Sequence, residues 1–170
     1  SLVYYCGDDF KSLSGVDHDT VSKRELETLK KASLVMTSSK TLLKDFPKDK
    51  TNFLPHGVDF DLFSNPTPIA DDLPKDGKPI AGFYGSISKW FDIETLKKVI
   101  NYLPTWNFVF IGKVEIDISS ISSLSNTYFL GPKDHGSLPT YSQHWTVSLL
   151  PFVNNKQIDA CNPLKLREYL

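Results

Sequence analysis

The stretch Pro79-Ile-Ala-Gly-Phe-Tyr-Gly85, followed by Ser86-Ile-Ser-Lys89 and by Asp92 with Leu96, Val99, Ile100 and Leu103, decides the fold class. The apolar run predicts a buried strand that ends at Gly85. The i, i+3, i+4, i+7 stripe predicts a helix with Asp92 as its N-cap. A strand that passes through a glycine turn into an amphipathic helix is the repeating unit of a parallel sheet covered by helices.

The same alternation extends in both directions. Upstream, Leu2 to Cys6, Ser33 to Thr37 and Asn52 to Leu54 read as strands. A helical pattern over 21–32 lies between the first two, with Ser22 and Glu25 as a capping box. Ser38 or Ser39 can cap a short helix through Leu43. Downstream, Trp106 to Val114, Thr127 to Leu130 and Thr146 to Phe152 read as strands, the last as a continuous run buried on both faces. Ile116 to Leu124 reads as a Ser-rich short helix or loop and Leu138 to His144 as a short helix, 153–161 as a loop, and the chain runs out in a further helix. Between Ser64 and Lys78, Pro66, Pro68, Pro74 and Gly77 sit among polar residues, marking a linker between two α/β domains, 1–63 and 79–170.

Composition narrows the function classes. In 170 residues, 40% hydrophobic and 12% aromatic side chains can fill a core, and 19 Lys plus Arg against 20 Asp plus Glu leave no overall basic field. Nucleic acid and anionic membranes are therefore not the expected partners of these residues, and phosphate binding has to be local. Two cysteines, Cys6 and Cys161, fit no zinc spacing and read as small hydrophobes in a reducing compartment. The four histidines are scattered and show no metal-ligand pairing. No apolar run approaches the ~18 residues of a membrane helix. With no initial Met and no stop signal after Tyr169-Leu170, the chain reads as a piece of a longer protein.

Three stretches carry candidate chemistry. The turn from Gly85 through Ser86 to Lys89 stands at the carboxyl end of a strand, where open α/β sheets bind ligands. Glycine admits a phosphate close to the backbone and Lys89 can neutralise it. A plain tight turn is the competing reading. In Asn162-Pro-Leu-Lys-Leu-Arg-Glu-Tyr-Leu170, Asn162 reads as an N-cap and Pro163 as first-turn proline. Lys165 and Glu168 then share a helix face beside a positive helix end, as ligand contacts or as a solvated ion pair worth a few tenths of a kcal/mol. Asp8 and Asp9 follow the first strand, as an acid/base pair or as strand-ending polar residues.

In this order the elements resemble the GT-B-fold glycosyltransferases, in particular bacterial family 4/family 1 enzymes that build cell-surface glycans. The matching stretches are Leu2-Val-Tyr-Tyr-Cys-Gly-Asp-Asp-Phe10, Ala32-Ser-Leu-Val-Met-Thr-Ser38, Leu54-Pro-His-Gly-Val-Asp59, Gly82-Phe-Tyr-Gly85 with Trp90-Phe-Asp92, Leu130-Gly-Pro132, Leu149-Leu-Pro-Phe152 and residues 162–170. The resemblance implies parallel-sheet Rossmann-like units of a GT-B architecture, incomplete at both ends: the tail of an acceptor-side domain (1–63) and the first part of a donor-binding one (79–170). It implies a UDP- or GDP-type nucleotide sugar as donor substrate, a glycan or lipid-linked acceptor, retention of anomeric configuration, and neither cofactor nor metal. It also implies a cytoplasmic location, at the inner face of the membrane through regions outside these residues.

Carried over by position, Gly85 and Ser86 line the diphosphate, Lys89 and Lys165 neutralise it, Asn162 opens the helix beside it, and Glu168 accepts from ribose hydroxyls. Asp8 is placed to position the acceptor. The family's Glu-x7-Glu pattern would put its first acid at Ala160, with Asp159 beside it, and Thr146 stands where an aspartate usually precedes the strand. These departures, with the missing parts of both domains, imply that the chain alone is inactive. Ala160 and the missing parts also favour one alternative, a non-catalytic α/β binding or scaffold module; a GT-B-like sugar-nucleotide epimerase is a third reading, for which more acidic and histidine residues would be expected in the cleft.

Overall fold

The computed structural model describes all 170 residues and resolves two compact units: 1–58 with 154–164, and 59–153 with 165–170. Each is an α/β unit around a parallel sheet.

In the first unit, β1 (Val3–Cys6), β2 (Leu34–Thr37) and β3 (Thr51–Phe53) form a three-stranded sheet in that order. Helix α1 (His18–Lys31) connects β1 to β2, and α2 (Lys40–Leu43) connects β2 to β3. The start of α1 differs from the expected capping box. Asp17 caps it by accepting from the Thr20 amide, whereas Glu25 is buried and takes Tyr4 Oη at 3.1 Å and Lys11 Nζ at 3.1 Å. Ser39, not Ser38, caps α2, accepting from the Leu42 amide at 3.1 Å. Cys6, Ala32, Val35, Leu42 and Phe46 form the core, completed by Ala160.

In the second unit, β4 (Ile80–Tyr84), β5 (Asn107–Ile111), β6 (Thr127–Phe129) and β7 (Val147–Ser148) form a parallel sheet in the order β6-β5-β4-β7. All ten residues of β4 and β5 are buried, as strands covered on both faces must be. Phe83, Phe108 and Phe110 pack on one face against Leu96 and Ile100 of α4 (Ile93–Tyr102) and Ile121 of α5 (Ser119–Ser122). Ile80, Tyr84, Val109 and Ile111 pack on the other against Trp145 and Tyr141 of α6 (Pro139–Ser142). Gly82 is an absence this packing needs, since a Cβ there would overlap the Trp145 ring.

Asp92 caps α4 as expected, its Oδ1 taking the Thr95 amide at 2.9 Å, and that bond holds its carboxyl below the usual range. A depressed folded value contributes stability above the unfolded pKa and loses it as pH falls through the folded one. Asp92→Ala should cost about 1 kcal/mol near neutrality. Urea titrations at pH 7 and near pH 3 should show that difference narrowing in acid; a pH-independent difference would refute a charged cap.

Four expectations are corrected. The segment 64–78 does not stand apart from the sheet: Leu73 is 3% exposed in the second unit's core, and Gln143 binds the Phe63 and Asn65 carbonyls and the Thr67 amide. Its prolines shape a strap along α6. The unit boundary falls at Val58/Asp59, where Asp59 caps α3 (Phe60–Ser64). β7 is two residues long with Val147 exposed, because the chain leaves the sheet at Leu149-Leu-Pro and Phe152 turns back to bridge Phe91. Residues 153–161 are not all loop: Asn155 caps α7 (Lys156–Ala160), which packs in the first unit. No helix is long and apolar enough to cross a membrane.

Candidate functional site

The carboxyl edge of the second sheet is a row of three glycines. Tyr84 pairs with Ile111 and Phe110 with Phe129, so Gly85, Gly112 and Gly131 follow neighbouring strands at nearly the same height. Their φ values of 135°, 139° and 70° lie where side chains are strained. Gly85 N–H donates to the Ile111 carbonyl at 2.8 Å and Gly112 N–H to the Gly131 carbonyl at 2.9 Å. Backbone bonds from Ile87 to Lys113 and from Glu115 to Ile87 continue the pairing past the glycines and fix the turn. Ser86 and Lys89 are exposed on it, while Ser88 is buried.

Lys165 comes back to this turn from α8 (Leu164–Tyr169). A Cβ on Gly85 would overlap Lys165 Cε and stand 2.8 Å from Nζ, so the glycine is what lets the ammonium lie against the strand end. Nζ is also 5.8 Å from the Phe83 ring centroid. Ser86, Lys89, Gly85 and Lys165 thus belong to one turn and its immediate neighbour.

Glu168, one turn further along α8, is not a solvated ion-pair partner: its side chain is 5% exposed. Oε2 accepts from Tyr84 Oη at 2.8 Å and Oε1 is 3.0 Å from His135 Nε2. Tyr84 is stacked by Trp145 and met edge-on by Tyr169, and its phenol is pushed far up by burial and then by the adjacent carboxylate. The Glu168 carboxyl is therefore held beside the glycine row by Tyr84 and His135, one on each oxygen.

Asn162 and Asp8 belong to the first unit. α8 begins at Leu164, after Pro163, and Asn162 Nδ2 donates to the Ser38 carbonyl at 2.6 Å, so this side chain ties the connection between α7 and α8 to the end of β2. Asp8 is half-buried at the carboxyl end of β1, with Oδ1 accepting from the Asp9 amide at 2.8 Å. Desolvation raises its carboxyl pKa, against that amide bond and one from Gln157. His56, on the segment after β3, is 3.1 Å from Tyr5 Oη through Nδ1. Ala160 is 4% exposed in the first unit's core, so an acid there would be buried among apolar groups, while Asp159 is exposed. Thr146 Oγ1 accepts from the Ile80 amide at 3.1 Å, serving the sheet edge.

Sequence reasoning missed His135 and Tyr84. His135 opens a 3-10 turn with no periodicity to mark it. Tyr84 had a signal: alternation along β4 places it on the Ile80 face.

No family model matches the chain. It is 24% identical over 189 aligned positions, 99% of its length, to the putative teichuronic acid biosynthesis glycosyltransferase TuaH of Bacillus subtilis (strain 168). The match covers 48% of that protein. Among solved structures, it superposes on sucrose-phosphate synthase of Thermosynechococcus elongatus with a TM-score of 0.72, at 21% identity, over 98% of this chain and 46% of that one. Anabaena Alr3699/HepE, solved with UDP and with UDP and glucose, gives TM-scores of 0.66 and 0.65 at 16% identity, over 86% of this chain and 45% of that one. The chain spans about half the length of the relatives it matches, and the fold it shares with them is that of the GT-B glycosyltransferases.

Proposed function

We propose that the chain is part of a nucleotide-sugar-dependent glycosyltransferase and that its second unit binds the donor at the glycine row. The observation that carries this is the approach of Lys165 to Gly85, with buried Glu168 one helical turn away. The Gly85-Ser86 turn would line the diphosphate, Gly85 by its open backbone and Ser86 by its exposed hydroxyl, with Lys89 and Lys165 as its counter-charges. Glu168 would accept from the ribose. Negative charge develops on the departing diphosphate as the glycosidic bond breaks, and preorganised cations and amides stabilise it there. HepE, solved with UDP, supports a uridine nucleotide as the donor's carrier, and TuaH, described as a putative teichuronic acid biosynthesis glycosyltransferase, supports a part in building a glycan; the acceptor in this reading is a glycan or a lipid-linked one. In this reading transfer retains anomeric configuration without metal or cofactor, at the inner face of the membrane, and Asp8 and Asn162 belong to the acceptor side.

In the full-length protein, Lys165→Ala should weaken UDP-sugar binding roughly tenfold, the loss of one charge-assisted contact. Added salt should shrink that difference. Calorimetry with UDP-, GDP- and ADP-sugars measures it; no binding of any of them by the intact protein would refute the reading. Ala160 favours one second reading, a binding module without transfer, because the sugar-side acid of the pattern is replaced by a core methyl. Donor binding with no turnover or hydrolysis would select it.

A further inference from the structure

We infer that His135 and Tyr84 are positioning residues that aim the Glu168 carboxylate at the donor's pentose, and so set discrimination between ribose and 2′-deoxyribose. The inference rests on the reading of Glu168 as the ribose contact. A carboxylate offers about four acceptor lone pairs, two on each oxygen. Tyr84 Oη occupies one on Oε2 and His135 Nε2 one on Oε1. Each oxygen keeps one for a ligand hydroxyl, which matches the two adjacent hydroxyls of a ribose and leaves one unused with a 2′-deoxyribose. Because a carboxylate only accepts, the proton must sit on Nε2 of His135.

Both donors are themselves held. Tyr84 lies in a fully buried strand between Trp145 and Tyr169, and its amide donates to Tyr169 Oη at 3.4 Å. His135 meets the Phe63 ring edge-on at 5.4 Å, and its carbonyl accepts from the Leu138 amide, closing the 3-10 turn. The two donors differ in exposure. Tyr84 is 3% exposed and the His135 side chain 58%, so His135 can be changed without opening the core.

The experiment compares UDP with 2′-deoxy-UDP, or GDP with 2′-deoxy-GDP if that is the nucleotide bound, by calorimetry on the full-length protein. The wild type should prefer the ribonucleotide roughly tenfold, and Glu168→Ala should abolish the preference. His135→Ala should cut it to about threefold or less, His135→Gln, which keeps a donor, should restore most of it, and Tyr84→Phe should lower it as His135→Ala does. A merely structural role would weaken both nucleotides equally and leave the ratio alone. An unchanged ratio in His135→Ala and Tyr84→Phe, with Glu168→Ala abolishing it, overturns the inference while the donor-site reading stands. Failure of the wild type to bind either ribonucleotide overturns both.

Discussion

Glu168→Gln in the full-length protein is expected to weaken nucleotide-sugar binding by roughly ten- to a hundredfold, from hydrogen bonds to a charged group worth about 1.5–3 kcal/mol. The substitution keeps size and shape but exchanges one acceptor oxygen for an NH2. Tyr84 Oη and His135 Nε2 both face this carboxylate within 3.0 Å. One of them, or a donor hydroxyl, must then meet a donor. The loss in affinity should exceed what any fall in thermal midpoint accounts for, that fall reporting the new amide against Tyr84 or His135. Affinity for the donor within threefold of wild type would show that Glu168 is a structural acid only.

Gly112→Ala should be among the most destabilising single changes in the second unit, at roughly 3–5 kcal/mol. A Cβ there would overlap the Gly85 carbonyl oxygen and stand 2.7 Å from its carbon, and φ is 139°. Those are backbone atoms between paired strands, so nothing can swing aside. Gly131→Ala is the control: φ is 70° but nothing lies within 4 Å, leaving only the left-handed cost of about 1–2 kcal/mol. Urea denaturation compares the two, and equal losses would refute the clash. Because the displaced atoms belong to the Gly85 turn, any surviving Gly112→Ala protein should also bind UDP-sugar less well.

How much of this was legible in the sequence varied with how local the cause was. β4 and β5 and the capped helix α4 followed from hydrophobic period and one aspartate, and the structure holds them at nearly the expected bounds. Residues 64–78 read as a linker because Pro and Gly density looks the same there as in a strap whose apolar residues Ala70 and Leu73 pack into a core built from distant elements. The run from Thr146 to Phe152 was overextended for a similar reason. Phe152 instead turns back to pair with Phe91, and its ring packs against Phe83 and Phe91 rather than continuing the strand.

For the site, spacing placed Lys165 and Glu168 on one face of a short helix but could not separate a surface pair from a ligand contact. Sequence by itself determined the α/β alternation, the glycine turn and the presence of a cation and an acid near the end of the chain, because these depend on residues within a few positions of each other. Tertiary structure alone decided that Lys165 rests where Gly85 has no side chain, that Glu168 is buried between Tyr84 and His135, and that Ala160 fills a core. Each of those depends on atoms brought together from 33 or more positions away, and no local pattern encodes such distances.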